Sequence, residues 1–152
     1  MSHVLIVDDE PAICWAFREC LNDEGMTVDI AGTAEQAFQL TADRTPDVIV
    51  MDIRLPGMDG LTALRQLRRS FETVPIIIMT AFGSLRTAVS AIDGGAFDYL
   101  TKPIDLEKAL AVVRQAISKA QLGQAVQATV QSATAGDADD GVMVGRSPAM
   151  KD

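Results

Sequence analysis

Five short apolar runs alternate with amphipathic stretches along the first 120 residues of the chain. The runs at residues 3–7, 47–52 and 75–80 are continuous and rich in β-branched residues. Such runs are typical of strands that are buried on both faces of a parallel sheet. With two further runs, at 27–31 and 96–100, the pattern predicts five strands.

The stretches between these strands predict five helices. The first ends at Gly25, because glycine commonly follows the last helical residue. The second begins at Thr33, where Thr33 and Gln36 have the spacing of a capping box. The third covers residues 60–69, the fourth runs from near Ser84 to Gly94-Gly95, and the fifth opens at Asp105.

Strict alternation of strands and helices predicts an α/β fold with right-handed crossovers and a doubly wound parallel sheet. Alternation alone does not define the strand order. The flavodoxin-like order 2-1-3-4-5 and one half of a Rossmann fold are both compatible with it. Both place a binding site at the carboxyl ends of the strands, beside the point where the strand order reverses.

The fifth helix continues into a segment of different composition. Apolar residues with a 4-3-4-3 spacing indicate either a core face or a two-helix seam, and core packing is favoured. Gly123 interrupts this spacing, residues 132–141 read as a flexible acidic linker, and VMVGRSPAMKD at the end turns apolar again. We therefore expect a domain at 1–120, a helical and then flexible linker at 121–142, and the start of a further domain at 143–152. The residues with this spacing are Leu106, Leu110, Val113, Ile117 and Ala120.

Charge and composition exclude several classes of function. The net charge of -8 argues against direct binding to nucleic acid. No run approaches the ~18 apolar residues of a membrane span, so no membrane partner is expected. Cys14 and Cys20 lie six residues apart in one predicted helix and cannot pair, which indicates thiols in a reducing cytoplasm. The single histidine, His3, leaves little scope for histidine-based metal or catalytic sites.

Polar residues stand at the carboxyl ends of the predicted strands. Asp8 and Asp9 follow the first strand, Asp52 ends the third, Thr80 ends the fourth, and Lys102 closely follows the fifth. In a 2-1-3-4-5 sheet these groups converge on one pocket. Three neighbouring carboxylates need a counter-charge, which a hard cation such as Mg²⁺ and the Lys102 ammonium together supply. Each residue alone would be an ordinary cap or surface group; their shared edge predicts a site.

The motifs VLIVDDE, DVIVMDIRLPGMDG, PIIIMTA and FDYLTKP, in this order, resemble the receiver domain of two-component response regulators. The resemblance covers residues 3 to about 120 and implies the flavodoxin-like order 2-1-3-4-5. It also implies that the domain accepts a phosphoryl group from a sensor histidine kinase.

The resemblance further implies a role for each residue of the site. Asp52 is the phosphoacceptor, and Mg²⁺, or alternatively Mn²⁺, is held by Asp9 directly, by Asp8 through water, by Asp52 and by the backbone carbonyl of Arg54. Lys102 and the Ala81 amide contact the phosphoryl group. Thr80 and Tyr99 form the switch that acts on the surface of the fourth helix, fifth strand and fifth helix. The Lys102–Pro103 peptide bond is cis in the family.

Other segments indicate the type of response regulator. Residues 80–117 and ICWAFRECL resemble activators of the nitrogen-regulatory type, and VMVGRSPAM is similar to the start of the AAA+ domain of sigma-54-dependent activators. The resemblance implies that the parent protein acts on sigma-54 RNA polymerase through an AAA+ ATPase, with homodimers formed through the switch surface or the linker helix. The chain has no Walker motif and is not itself expected to be an enzyme.

Three rival interpretations were weighed against this one. A phosphatase of the haloacid dehalogenase type needs an aspartate two residues after the nucleophile, where this chain has Arg54. A flavodoxin-like electron carrier needs a phosphate-binding loop where this chain has three acids after the first strand. A stand-alone or pseudo-receiver interaction module, never phosphorylated, remains the alternative. Within the receiver interpretation, Arg54 and Phe82 are hypothesised to slow self-dephosphorylation by crowding the attacking water, and Trp15 is expected at the rim of the same site.

Overall fold

The computed structural model describes residues 2–81 and 85–133, with side chains as far as residue 120. The chain divides into two units, Met1–Ser118 and Lys119–Asp152, and residues 119–133 of the second unit are helical. The hypothesis on Phe82, the predicted start of the fourth helix at Ser84, residues 134–142 of the predicted linker and the predicted further domain at 143–152 lie outside the described residues.

The sheet has five parallel strands in the order β2-β1-β3-β4-β5. This confirms the flavodoxin-like arrangement and excludes the Rossmann alternative. Strands β1, β3 and β4 lie in the middle and are buried along their whole length, as their continuous β-branched runs predict. The last strand starts two residues later than predicted. The strands are β1 (His3–Val7), β2 (Thr27–Ala31), β3 (Val48–Asp52), β4 (Ile76–Thr80) and β5 (Asp98–Thr101).

Five helices connect and follow the strands, and polar residues cap several of them. The Thr33 side chain accepts a hydrogen bond of 3.1 Å from the backbone N–H of Gln36, as its spacing predicts. Asp59 caps the third helix in the same way. None of the described helices is both long enough and apolar enough to cross a membrane. The helices are α1 (Pro11–Asp23), α2 (Ala34–Asp43), α3 (Gly60–Ser70), α4 (Leu85–Asp93) and α5 (Leu106–Ala133).

The two faces of the sheet carry separate cores. Helices α2, α3 and α4 cover one face, and α1 and α5 cover the other. Four residues of α5 are buried in the second core, and Leu106, Leu110 and Ile117 are half-buried against it. The core interpretation of this apolar spacing is therefore confirmed as far as residue 117. The helix is continuous through Gly123. The four buried residues of α5 are Ala109, Val112, Val113 and Ala116.

Gly95, in the turn between α4 and β5, combines two constraints. Its φ is +107°, and a Cβ there would lie 3.1 Å from Cγ and Nε of Arg68 in α3. Gly25 has a similar φ of +82° but open space around it.

We expect Gly25→Ala to cost about 1 kcal/mol of stability from backbone strain alone. Gly95→Ala should cost more, by about 1 kcal/mol, because Arg68 must also move. Urea unfolding of both variants measures this difference; equal losses would show that the Arg68 contact is unimportant.

Candidate functional site

Three carboxylates meet at the carboxyl edge of the sheet. Asp8 directly follows β1, and Asp52 ends the neighbouring strand β3, where Val7 pairs with Met51. The parallel register therefore places the two acids side by side, 1% and 5% exposed. Asp9 is exposed beside them, and one oxygen from each of the three acids lies within 4.8 Å of the others.

The Lys102 ammonium reaches this cluster from the loop after β5. Its Nζ donates hydrogen bonds to Asp52 Oδ2 at 2.9 Å and to Asp8 Oδ2 at 3.2 Å. The Glu10 carboxylate is 3.6 Å away at the rim. The Lys102 backbone N–H donates to the Thr80 carbonyl at 2.7 Å, and the following peptide bond to Pro103 is cis. The Lys102 ammonium thus lies between the carboxylates at the ends of β1 and β3.

Burial and charge shift the pKa values of two groups in the site. Burial raises the pKa of Asp8, and the charge of Asp52 adds to this; the Glu10 N–H and the Lys102 ammonium oppose it. For Lys102, burial lowers the pKa, but the hydrogen bond and charge of Asp52, together with Asp8, outweigh it and hold the pKa above its ordinary value. Lys102 therefore stays charged, yet it does not compensate Asp8 fully. The acids retain unneutralised negative charge.

Backbone donors orient the two buried carboxylates. Asp8 Oδ1 accepts a hydrogen bond of 2.9 Å from the Glu10 N–H. Asp52 Oδ1 accepts one of 3.1 Å from the Arg54 N–H. In each case the donor lies two residues further along the chain, which is the pattern of an Asx turn. The second oxygen of each group points to Lys102, so both side chains are held in defined positions before any ligand binds.

Thr80 is the last residue of β4, the strand next to β3, and Tyr99 lies on the following strand, β5. The Thr80 side chain is buried, and its hydroxyl donates a hydrogen bond of 3.5 Å to the Leu100 carbonyl. A bond of this length is weak and is readily exchanged for a better acceptor. Tyr99 is half-buried opposite Ile78. Ala81, which follows Thr80, is exposed and lines a cavity together with Asp52, Arg54 and Lys102.

Two residues that sequence reasoning did not assign to the site also support it. Glu10 is the third consecutive acid after β1, and its carboxylate lies 3.6 Å from Lys102 Nζ. Gly60, the first residue of α3, donates its N–H to the Ile53 carbonyl at 2.8 Å. A Cβ on Gly60 would lie 2.5 Å from the Asp52 carbonyl oxygen and 2.6 Å from Ile53 Cα. The glycine between Asp59 and the apolar run of α3 was the available signal for this close approach.

Trp15 is 66% exposed on α1 and lines a shallow cleft that also includes Asp8 and Asp9. Its expected position at the rim agrees with this geometry.

Cys14, one residue before Trp15, is buried, and its thiol donates to the Asp8 carbonyl at 3.2 Å. Burial raises the pKa of this thiol, so Cys14 is a structural group at neutral pH.

The donor set fits a hard divalent cation. It consists of carboxylate oxygens at close range, two of them from buried residues, and their charge is only partly balanced by Lys102. Mg²⁺ prefers oxygen ligands, retains some waters and is commonly bound by one or two carboxylates together with a phosphoryl oxygen. A cation shared by buried carboxylates lowers the free-energy cost of removing their charges from water.

Known proteins are similar to this chain in sequence and in fold. The chain matches the family described as the response regulator receiver domain over residues 4–114. It is 40% identical over 149 residues to the DNA-binding transcriptional regulator NtrC of Salmonella typhimurium, an alignment of 98% of this chain and 31% of that protein. It is 36% identical over 152 residues to the regulatory protein AtoC of Escherichia coli, covering 100% of this chain and 33% of the relative.

Solved structures give the same result. A crystal structure of NtrX from Brucella abortus superposes with a TM-score of 0.84 at 29% identity, over 91% of this chain and 31% of that one. The receiver domain of the same protein gives 0.73 at 33% identity, over 76% of this chain and 98% of that one. The chain spans about a third of the length of the curated relatives above. It belongs to the response regulator receiver domain family.

Proposed function

We propose that the domain accepts a phosphoryl group on Asp52 from the phosphohistidine of a sensor histidine kinase. The observation that carries this proposal is the contact of Lys102 Nζ with Asp52 Oδ2 inside a cluster of three acids. A carboxylate that is buried, oriented and paired with a charged lysine at the floor of an open cavity is well placed for nucleophilic attack. The match to the response regulator receiver domain family supports phosphorus as the electrophile.

In the transfer, an Asp52 oxygen forms a bond to phosphorus while the bond to the kinase imidazole breaks. Lys102 is released from Asp52 and follows the charge to the phosphoryl oxygens, where its raised pKa keeps it protonated. The Arg54 N–H holds the other Asp52 oxygen, so the attacking carboxylate does not have to be reoriented. Positioning and charge stabilisation account for most catalysis of phosphoryl transfer.

Mg²⁺ is the cation proposed for the acid cluster, and Mn²⁺ is an alternative of similar chemistry. Asp9, Asp52 and the carbonyl of Arg54 would hold it directly, and Asp8 through water. When bound, the ion supplies positive charge close to the phosphoryl oxygens. The unneutralised charge around Asp8 supports this assignment.

Phosphorylation would then act on Thr80, Ala81 and Tyr99. The acyl phosphate carries up to two additional negative charges, which attract the Thr80 hydroxyl and the Ala81 amide. Thr80 gives up only a 3.5 Å hydrogen bond to Leu100 when it moves. The space it leaves allows Tyr99 to turn inward, which shifts a pre-existing equilibrium of the α4-β5-α5 surface. Exposed Leu85, Val89 and Ile92 on α4 make this surface suitable for homodimer formation.

The parent protein is proposed to be a sigma-54-dependent activator in the cytoplasm. The relatives are about three times as long as this chain, and NtrC is described as DNA-binding. In the parent, the receiver would control assembly of an AAA+ ATPase that acts on sigma-54 RNA polymerase, and α5 would lead into the linker between the two domains. Residues 143–152, similar to the start of such a domain, support this arrangement.

Incubation with acetyl phosphate and Mg²⁺ tests the proposal. We expect intact mass spectrometry to show the gain of one phosphoryl group, and peptide mapping to place it on Asp52. Chelation of divalent cations should slow the reaction by about a hundredfold or more, because charge stabilisation contributes most of the rate. A chain that gains no phosphoryl group, while its fold is intact by circular dichroism, would be a pseudo-receiver instead.

A further inference from the structure

A cavity of about 590 Å³ opens directly in front of Asp52. Its lining includes four charged residues, Asp52, Lys102, Glu10 and Arg54. The other lining residues are apolar, and most of them come from α1 and from the segment that joins β5 to the start of α5. They are Ala12, Ile13, Ala16, Phe17, Ile53, Ala81, Pro103, Ile104 and Leu106.

The direction of attack determines what this apolar space would hold. In phosphoryl transfer, the attacking and leaving atoms lie on opposite sides of phosphorus, roughly in line. Asp52 approaches from the buried end of the cavity, where its carboxylate is held by Lys102 and Arg54. The leaving group of a phosphodonor must therefore point away from the sheet and into the cavity, whose lining includes Ile13, Ala16 and Ile104.

Size and polarity indicate the kind of leaving group that fits. Pockets of 300–1,000 Å³ are typical sites for small organic molecules. An acetyl group offers a single methyl group to these apolar side chains, whereas an aromatic acyl group offers a whole ring and can bury more apolar surface. The lining combines the charged groups around Asp52 and Lys102 with a larger number of apolar side chains, so the cavity matches a molecule with a phosphoryl head and an apolar tail.

We propose that the site uses small acyl phosphates with an apolar acyl group, such as an aromatic acyl phosphate, in preference to acetyl phosphate. This inference rests on the proposed function of Asp52. In the reaction, the Asp52 carboxylate forms a bond to phosphorus, and the bond between phosphorus and the acyl oxygen breaks. The products are the aspartyl phosphate and a free carboxylate, so neither a proton nor a redox partner is needed. The apolar contacts lower the barrier as far as they persist in the transition state.

The test compares benzoyl phosphate with acetyl phosphate, whose carboxylate leaving groups have similar basicity. The second-order rate of phosphorylation of the full chain is measured with Mg²⁺ by intact mass spectrometry. We expect benzoyl phosphate to react about tenfold faster, as expected for burial of one aromatic ring at the apolar wall. Ala16→Leu fills part of the cavity and should lower the ratio of the benzoyl phosphate rate to the acetyl phosphate rate to about two or below. Ile104→Ala removes part of the wall and should lower the same ratio.

Ala42→Leu is the matched control, because Ala42 is an exposed alanine on α2, which packs on the opposite face of the sheet. The ratio should be unchanged in this variant. A ratio near one in the unmodified chain, with normal acetyl phosphate labelling of Asp52, would overturn the inference and leave the proposed function intact. The apolar lining of the cavity would then contact only a protein phosphodonor. A tenfold ratio that persists in both cavity variants would equally overturn it, while a lack of labelling by either donor would refute the proposed function as well.

Discussion

Replacing Asp52 by asparagine is expected to abolish phosphorylation and to leave the domain folded. The amide lacks the nucleophilic oxygen pair of a carboxylate, so the rate of labelling by acetyl phosphate should fall by more than about a thousandfold. Asparagine retains an oxygen that accepts the hydrogen bond from the Arg54 N–H, so the loop after β3 keeps its anchor. Lys102 loses one partner but keeps its hydrogen bond to Asp8.

The charge balance supports an intact fold in this variant. The Asp52 charge is one of the causes that raise the pKa of Asp8, so removing it makes the neighbouring carboxylate easier to ionise. The loss of an attractive contact with Lys102 is therefore offset by the loss of a repulsive one. Asp43→Asn, at an exposed position at the end of α2, makes the same change far from the cluster and should label normally. Persistent labelling of the Asp52→Asn variant would contradict the assignment of the phosphoacceptor.

Replacing Gly60 by alanine is expected to damage both stability and phosphorylation. The added Cβ would lie 2.5 Å from the Asp52 carbonyl oxygen and 2.6 Å from Ile53 Cα. Both are backbone atoms, so no side-chain rotation relieves the overlap. Either α3 or the end of β3 must move. We expect a loss of about 3 kcal/mol, or roughly 6–12 °C in the midpoint of thermal unfolding. Displacement of the nucleophile by about 1 Å would also slow labelling of Asp52 by about a hundredfold.

Gly32→Ala is the matched control for this prediction. A Cβ on Gly32 would make an ordinary contact of 3.8 Å with Gln36 Oε1, and no positive φ is involved. This substitution should be neutral or slightly stabilising, by up to about 1 kcal/mol, because alanine restricts the unfolded chain. Calorimetry and the labelling assay measure both variants. If Gly60→Ala were as stable and as reactive as Gly32→Ala, the close approach of α3 to β3 would not be needed for the site.

The elements of secondary structure were largely predictable because their signals are local. The β-branched runs of β1, β3 and β4 indicate strands buried on both faces, and Thr33 with Gln36 indicates the start of α2. The strand β5 starts two residues later than its apolar pattern predicts. Ala96 and Phe97 are apolar like strand residues, but they connect the turn at Gly95 to the strand. Packing of Ala96 into the core, rather than strand pairing, accounts for its apolar character.

The content of the site was predictable only in part. That acids, a threonine and a lysine stand at strand ends follows from the sequence. Which of them touch depends on strand order, and alternation of helices and strands leaves that order open; the motif resemblance supplied it in advance. The orientation of Asp52 by the Arg54 N–H and the contact of Glu10 with Lys102 have no signal in the sequence. The close approach at Gly60 has only the glycine itself as a signal.

By itself, the sequence determined the composition of this protein's elements and the chemical groups at their ends, since both depend on residues that are near one another along the chain. The tertiary structure alone decided how strongly those groups interact. Asp8 and Lys102 are separated by 94 positions in the chain but by 3.2 Å in space. Their pKa values, and the charge left for a cation, arise from burial and distance, which only the assembled sheet defines.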